Sequence, residues 1–112
     1  MKLITAIVQT EKLEDVQRAL IKNGIPGMTM TEVYGHGRQR GHVEVYRGAE
    51  FTIDFIQKVR IEVLVKDADA ERVIAMMVDA ARTGEVGDGK VWAIDVDTVV
   101  RVRTGDRDDA AL

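Results

Sequence analysis

The sequence predicts an α+β fold in which two helices cover one face of a single β-sheet. A strand-helix-strand series of patterns occupies the first half of the 112-residue chain, and a second series in the same order follows it. Two β-α-β units with right-handed crossovers fold most simply into a two-layer βαββαβ sandwich. A chain of this length forms one domain, residues 1–112, so separate catalytic and regulatory domains are excluded.

The first series opens with an apolar, β-rich stretch. Residues 2–9 (KLITAIVQ) are typical of a strand that is covered on nearly both faces. A helix is predicted next, with Thr10 as its N-cap and Gly24 as its stop. Its apolar residues recur at helical spacing: Leu13, Val16 and Leu20. Residues 25–27 (IPG) predict a turn in which the proline presets the first central position and the glycine tolerates a positive φ, and residues 28–34 alternate as a strand.

The second series begins with the clearest strand of the chain, residues 58–66 (KVRIEVLVK), in which apolar and polar residues alternate. Asp67 or Asp69 is the expected N-cap of a second helix that ends at Gly84. Its apolar stripe consists of Val73, Ile74, Met77, Val78 and Ala81. The last predicted strands, residues 90–96 and 98–103, precede a C-terminal segment, residues 104–112. The result is a ferredoxin-like sandwich, and because its uncovered sheet face also carries apolar side chains, we expect other subunits to bury that face.

A polar, glycine-rich segment joins the two series. Residues 37–55, which we call the arm, lack a sustained period apart from a short alternation around Val43 and Val45 that indicates a hairpin. A long irregular insertion in a small domain is commonly functional, and the glycines of this one favour mobility. We therefore expect the arm to serve the function of the protein.

Composition excludes several classes of function. The 16 basic and 19 acidic residues give a net charge of −3, which argues against the phosphate contacts of a nucleic-acid-binding protein. The chain has one Trp, two Tyr and two Phe, too few to form platforms for base stacking. Its apolar runs are far shorter than the about 20 residues of a membrane span. The absence of cysteine removes thiol catalysis and thiolate metal sites and, with no leader-like opening, predicts a cytoplasmic protein. No catalytic triad or carboxylate pair stands out, so no catalytic residue is predicted.

The loop after the second helix carries a phosphate-binding pattern. Within residues 82–90, which we call the glycine loop, GEVGDGK matches GxxxxGK, in which glycine N–H groups and a lysine hold phosphate oxygens. Lys90 is followed by Val91 instead of Ser or Thr, and the loop leads from a helix into a strand, so a P-loop hydrolase is not predicted. Two interpretations stay open: a helix C-cap with a Gly-Asp-Gly turn, or phosphate binding without hydrolysis.

Two further pairs of residues carry side chains of the kinds that bind ligands. Strand alternation predicts Arg101 and Arg103 on one face, where they are either solvent-exposed or converge with Lys90 on a triphosphate. His36 and His42 lack the i, i+4 spacing of a metal-binding pair and have no third ligand, so a metal site through them is not predicted.

Four stretches carry a set of motifs in order and in register. They are Gly35-x-Gly37-Arg38-Gln39-x-Gly41-His42, Tyr46-Arg47-Gly48-Ala49-Glu50, Ala81-Arg82-Thr83-Gly84-x-x-Gly87-Asp88-Gly89-Lys90 and Val100-Arg101-x-Arg103-Thr104-Gly105. Together they resemble the PII nitrogen-regulatory signal-transduction family, over nearly the whole chain. The resemblance implies a ferredoxin-like homotrimer that is a sensor and not an enzyme. Such a trimer binds ATP or ADP in clefts between subunits and senses 2-oxoglutarate.

The resemblance also implies which residues hold each ligand. Adenine and ribose would lie among Ile7, Gly27, Met28, Thr29, Gly35, Arg38, Glu62 and Leu64. The phosphates would be held by Gly87, Asp88, Gly89, Lys90, Arg101 and Arg103. The 2-oxoglutarate would be surrounded by Gly37, Gln39, Gly41, Lys58 and Gly87. Lys58 would pair with its distal carboxylate, and Gln39 would ligate the Mg²⁺ that joins it to ATP.

For the arm, the resemblance implies binding to a target protein, such as an ammonium transporter or a metabolic enzyme, through Tyr46, Arg47 and Phe51. The tyrosine that is uridylylated in the family falls on Phe51, and the serine that is phosphorylated in some members falls on Ala49, so neither modification is expected. The family's common Lys-Pro-Phe-Lys run is replaced by residues 9–12 (QTEK), which removes a basic group that could help to hold the effector.

Three alternatives stay open. Phe51, Ala49 and the altered run at residues 9–12 also favour a divergent PII-like sensor of another small anion, tied to inorganic-carbon or metal transport. A weak ATPase would use the glycine loop, although the missing hydroxyl after Lys90 argues against it. A purely structural trimer would bind no ligand.

Overall fold

The chain was analysed as a computed structural model, which describes residues 1–36, 43–46, 49–52 and 55–112. The regular elements follow one another as β1 (Lys2–Gln9), α1 (Leu13–Lys22), β2 (Thr29–Gly35), β3 (Val43–Tyr46), β4 (Ala49–Thr52), β5 (Ile56–Val65), α2 (Ala70–Ala81) and β6 (Gly89–Asp95). Short 3-10 helices lie at Thr10–Lys12, Asp67–Asp69 and Asp108–Ala111.

The main sheet has four strands in the order β2-β5-β1-β6, and all its neighbouring strands are antiparallel. Each half of the chain supplies one central and one edge strand, with a helix as the crossover between them. This arrangement confirms the predicted α+β fold and is that of a ferredoxin-like sandwich. Strands β3 and β4 form a separate antiparallel hairpin, as the alternation in the arm indicated.

The core lies between the two helices and one face of the sheet. Its fully buried side chains come from β1, β5 and both helices: Ile4, Val8, Val16, Leu20, Val59, Ile61, Val63, Val73 and Met77. Full burial of one such aliphatic side chain contributes about 1.5–3 kcal/mol. The structure therefore confirms that the apolar residues of β5 and the apolar stripe of α2 face the core.

The predicted N-caps are wrong, because each helix is entered through a 3-10 turn. Thr10 is the first residue of such a turn, and its hydroxyl donates to the carbonyl oxygen of Gln57 at 3.4 Å instead of capping α1. Neither Asp67 nor Asp69 caps α2 with its side chain. Asp67 accepts a hydrogen bond from the N-terminal amine at 2.8 Å. The 3-10 turns satisfy backbone groups at these helix starts, which removes the need for a side-chain cap.

The ends of the helices are set by the backbone. The predicted stop at Gly24 is confirmed, because this residue has a φ of +80° and the next N–H, of Ile25, donates back to Leu20 at 2.9 Å. The turn predicted at residues 25–27 is wrong, since the chain has already reversed and Gly27 does not have a positive φ. Helix α2 ends at Ala81, before the predicted Gly84, because the following residue is extended.

The strand predicted at residues 98–103 does not form. Val100 makes a single bridge to Arg107, and the chain between them folds back as a tight loop. Its backbone bonds run from the Arg101 N–H to Asp106 at 2.9 Å and from the Gly105 N–H to Arg101 at 2.8 Å. The Thr-Gly-Asp sequence at residues 104–106 is a strong turn former, and it overrides the alternation of valine and arginine that precedes it.

Candidate functional site

An open cleft of about 710 Å³ lies where the main sheet meets the glycine loop. Its described walls are Ile7, Gly35, His36, Ile56, Lys58, Glu85, Val86, Gly87, Asp88, Gly89, Lys90 and Trp92. This volume is in the range of pockets that hold small organic ligands. The strand that opens the chain, the strand before the arm and the strand after it all contribute a wall, so residues far apart in sequence face one space.

Lys58 is the cation at the inner wall of this cleft. It is only 8% exposed, and its Nζ donates a hydrogen bond to the carbonyl oxygen of Gly87 at 2.6 Å. Gly35 lies beside its aliphatic stem, since a Cβ added to that glycine would be 3.6 Å from the Cγ of Lys58. A buried ammonium group is therefore held between β2 and the glycine loop.

The glycine loop turns sharply before it enters β6. Gly84, Gly87 and Gly89 all have positive φ angles, of +90°, +102° and +103°. Only glycine fits at position 89 without a shift of the backbone, because an added Cβ would lie 1.7 Å from the carbonyl oxygen of Ile7. The loop backbone is thus pressed against β1, and the register places Lys90 directly opposite Ile7.

Asp88 holds the loop together from within. Its carboxylate accepts hydrogen bonds from the backbone N–H groups of Thr83 at 2.7 Å and Gly84 at 2.9 Å, and from the Thr83 hydroxyl. The hydroxyl and then the backbone N–H of Thr83 lower the pKa of Asp88 below its ordinary value. Both interpretations of the loop remain compatible with this geometry, since Asp88 closes a turn while Lys90 lines the cleft.

The structure brings together part of the predicted nucleotide site and, with Lys58 and Gly87, part of the predicted effector site. Seven of the predicted residues line the cleft: Ile7, Gly35, Lys58, Gly87, Asp88, Gly89 and Lys90. Glu62 is not among the described lining residues, but it lies on the same sheet face, where it pairs with Thr5 and Thr29 and accepts a hydrogen bond from the Thr5 hydroxyl at 3.1 Å. Leu64 follows on that face, and residues 27–28 lead into β2 next to Thr29.

The two predicted arginines are not brought to the cleft within one chain. Neither Arg101 nor Arg103 is among the described residues that line it. Arg101 is half-buried and donates to the carbonyl oxygen of Leu112 at 3.2 Å, with its Nη1 3.6 Å from Asp106 Oδ2. Arg103 is exposed. The expectation that strand alternation aligns them is wrong, because their segment is a turn and not a strand.

The remaining predicted site residues belong to the arm. Gly37, Arg38, Gln39, Gly41 and Arg47 lie outside the described residues. Tyr46 ends β3 and Phe51 lies within β4, and these strand positions are what the structure describes of them.

A structural member of the site, Thr83, was not among the predicted site residues. Thr83 is the residue on which the Asp88 carboxylate closes, and the Ser/Thr-to-Asp spacing of a short polar turn is the signal that points to it. His36, for which no metal site was predicted, lines the cleft, with its ring centroid 6.1 Å from that of Phe55.

In the part of the chain that the structure describes, no group of three or more His, Asp or Glu side chains is arranged to hold a metal ion. No helix there has the length and apolar character needed to cross a membrane.

The apolar face expected on the sheet is present in the single chain. Leu64, Trp92 and Ile94 are 41%, 42% and 53% exposed, on the face opposite the helices. Leu3 lies between Leu64 and Ile94 in the register, so these side chains form one patch.

Comparison with known proteins gives a consistent similarity along the whole chain. The family model described as nitrogen regulatory protein P-II matches residues 1–106. The chain is 51% identical over 112 residues to nitrogen regulatory protein P-II 1 of Escherichia coli (strain K12) and to nitrogen regulatory protein P-II of Klebsiella oxytoca, with 100% of each chain covered. It is 50% identical over the same full length to nitrogen regulatory protein GlnK of Escherichia coli (strain K12).

Proposed function

The chain belongs to the nitrogen regulatory protein P-II family, and we propose that it acts as a cytoplasmic homotrimer that binds ATP or ADP, senses 2-oxoglutarate with Mg²⁺, and controls target proteins through the arm. The family consists of signalling proteins of nitrogen metabolism and not of enzymes. The observation that carries the proposal is the cleft in which Lys58, Lys90 and the glycine loop face one space.

The charges of the cleft suit a polyphosphate. Lys58 and Lys90 supply two cations, and Glu85 and Asp88 are the acidic residues among the described walls. The charge of Asp88 is already compensated by N–H and O–H donors of its own loop. A phosphate group at Lys90 therefore meets a net attractive site with a glycine backbone beside it.

A neighbouring subunit would complete this site. Arg101 and Arg103 lie outside the cleft of their own chain, while the adjoining sheet face exposes Leu64, Trp92 and Ile94. A second chain packed on that face would bury the apolar patch and bring its own arginines to the phosphates. The proposed nucleotide thus lies between subunits, with the adenine near Glu62 and Leu64 of one chain.

One feature of the effector half favours a second candidate, a sensor of another small anion. Gln9 pairs directly with Lys58 across β1 and β5. The resemblance to the family places a lysine where this chain has Gln9, so one cation is missing beside the ammonium that would hold the distal carboxylate. Gln9 in place of that lysine therefore argues against the binding of 2-oxoglutarate more than against the binding of a nucleotide.

Calorimetry on the purified assembly tests both candidates. We expect ATP and ADP to bind, and 2-oxoglutarate to bind when ATP and Mg²⁺ are present. An intact assembly that binds neither nucleotide would contradict the proposed function. Nucleotide binding without a response to 2-oxoglutarate, followed by a response to another small anion in an effector screen, would favour the second candidate.

Two substitutions test where the phosphates of the nucleotide bind. We expect Lys90→Ala and Arg103→Ala each to weaken ATP binding by about 1.5–3 kcal/mol, the scale of hydrogen bonds to charged groups. Arg18→Ala, which removes a 73% exposed guanidinium from α1, is the matched control and leaves the affinity unchanged. Unchanged affinity in both cleft variants would remove the proposed phosphate site. ATP turnover that disappears in Lys90→Ala would instead support the ATPase alternative.

A further inference from the structure

A hydrogen bond joins the sheet side of the cleft to the glycine loop. The ammonium of Lys58, on the central strand β5, donates to the Gly87 carbonyl oxygen in the middle of the glycine loop at 2.6 Å. Only 8% of the surface of Lys58 is exposed, and the bond itself is part-buried at the wall of the cleft. A charge-assisted bond in such a setting is stronger than a bond between neutral groups.

Among the described residues, contacts hold the glycine loop at its start, its middle and its end, and Lys58 supplies the middle contact. At the start of the loop, Asp88 binds the N–H groups of Thr83 and Gly84. At its end, Gly89 is pressed against β1 and pairs with Val8. Between them, the side chain of Val86 is 61% exposed, so its burial contributes little to holding the loop. The carbonyl of Gly87 is therefore where the middle of the loop is fastened to the sheet.

We propose that Lys58 is a positioning residue for the glycine loop, which it fastens through the Gly87 carbonyl so that the loop is preorganised for phosphate before any effector binds. This inference rests on the proposed function for the identity of the nucleotide. It assigns Lys58 a task on the nucleotide side of the cleft, separate from any contact with an effector carboxylate. Preorganisation lowers the entropic cost that a phosphate would otherwise bear in ordering the loop.

The test omits the effector altogether. Amide hydrogen exchange of the ligand-free assembly and calorimetry with ADP, without Mg²⁺ or 2-oxoglutarate, are compared for the wild type, Lys58→Met and Lys58→Arg. The methionine keeps an unbranched apolar stem and loses the donor, whereas the arginine keeps both donors and charge. Lys66→Met is the matched control, because it removes an exposed lysine that directly follows the same strand.

We expect the amides of residues 87–90 to exchange faster in Lys58→Met, while those of the buried β5 residue Ile61 keep wild-type rates. ADP affinity falls about tenfold in this variant, in line with the loss of a hydrogen bond to a charged group. Lys58→Arg restores both readouts to near wild-type values, and Lys66→Met changes neither. If Lys58→Met fails to fold, Lys58→Gln replaces it, with the same expected change in loop exchange.

Two outcomes would overturn the inference. Weaker ADP binding with unchanged loop exchange would mean that Lys58 acts only through its charge. Unchanged affinity and unchanged exchange would mean that the Gly87 contact does not hold the loop, and the proposed function would stand. If the wild type binds no ADP, the proposed function fails, and the exchange measurement on the ligand-free assembly still decides whether Lys58 fastens the loop.

Discussion

At the scale of single residues, the glycine loop depends on two side-chain choices that local propensity does not explain. Gly89 is required because β1 passes where a Cβ would be. Asp88 is required because its one carboxylate accepts three hydrogen bonds from Thr83 and Gly84 at the start of the loop. A motif that resembles a ligand-binding pattern in sequence is therefore also a structural unit, and substitutions in it must be interpreted with both roles in mind.

Gly89→Ala is expected to destabilise the fold strongly. The added methyl group meets the Ile7 carbonyl oxygen at 1.7 Å and a φ of +103°, so the start of β6 must move away from β1. We expect a loss of about 3 kcal/mol or more in the free energy of unfolding, measured by urea denaturation, from the combined strain and steric conflict.

Gly24→Ala is the matched control for that experiment. Its φ is +80°, but no atom of the described residues beyond its chain neighbours lies within 4 Å of an added Cβ, so only the backbone strain of about 1–2 kcal/mol is expected. Equal costs at the two glycines would contradict the close approach of the loop to β1.

The Asp88 carboxylate makes loop stability depend on pH. Because its folded-state pKa is below the ordinary 3.8, the ionised form is favoured by folding. This stabilisation is present above the ordinary pKa and is lost as the pH falls through the lowered folded-state value. We expect the melting temperatures of the wild type and Asp88→Asn to differ at about pH 6 and to converge below about pH 3.

Asp79→Asn, an exposed position on α2, controls for the removal of one negative charge and should follow the wild type across the range. A constant difference between the wild type and Asp88→Asn at all pH values would mean that the asparagine fails for steric reasons and not through ionisation.

At the scale of elements, the patterns that could be predicted from the sequence are those that burial imposes. The alternation of β5 and the stripe of α2 follow directly from a core on one side, and the structure has both. The N-caps could not be predicted, because 3-10 turns at Thr10 and Asp67 take over the role of a capping side chain. The strand predicted at residues 98–103 does not form, because the Thr-Gly-Asp turn at residues 104–106 folds the chain back on itself.

The candidate site shows the same division. Motifs and the family resemblance identified Lys58 and the glycine loop, but the contact between Lys58 and Gly87 joins two elements whose meeting depends on the whole sheet order. Arg101 contacts Asp106 within the turn and Leu112 beyond it, and the alternation at residues 98–103 indicates neither contact. Types of side chain could thus be read from the sequence, whereas their convergence required the tertiary structure.

At the scale of the whole molecule, the single chain leaves its sheet half covered. Helices bury one face, while the opposite face keeps Leu64, Trp92 and Ile94 exposed next to the cleft. Exposed apolar side chains that lie together, and not singly, are typical of an interaction surface. The proposed trimer accounts for this patch and, through Arg101 and Arg103 of a neighbouring chain, for the incomplete phosphate site.

Ile94→Lys tests whether this face joins the subunits. Ile94 is 53% exposed in the single chain and lies across from Leu3 on the patch. In a trimer the lysine would place an unpaired charge in an apolar interface, at a cost of several kcal/mol for each subunit. We expect light scattering coupled to gel filtration to show a monomer, and calorimetry to show that ATP binding is lost with the assembly.

Ile21→Lys is the control with matched chemistry, because Ile21 is 56% exposed on α1, an element of the helix layer on the other side of the sheet. It should leave both the mass and the ATP affinity unchanged. If Ile94→Lys keeps the mass of the wild type, the patch does not hold the subunits together. If it becomes a monomer that still binds ATP with wild-type affinity, a single chain suffices for the site, and the arginines of a neighbour have no part in it.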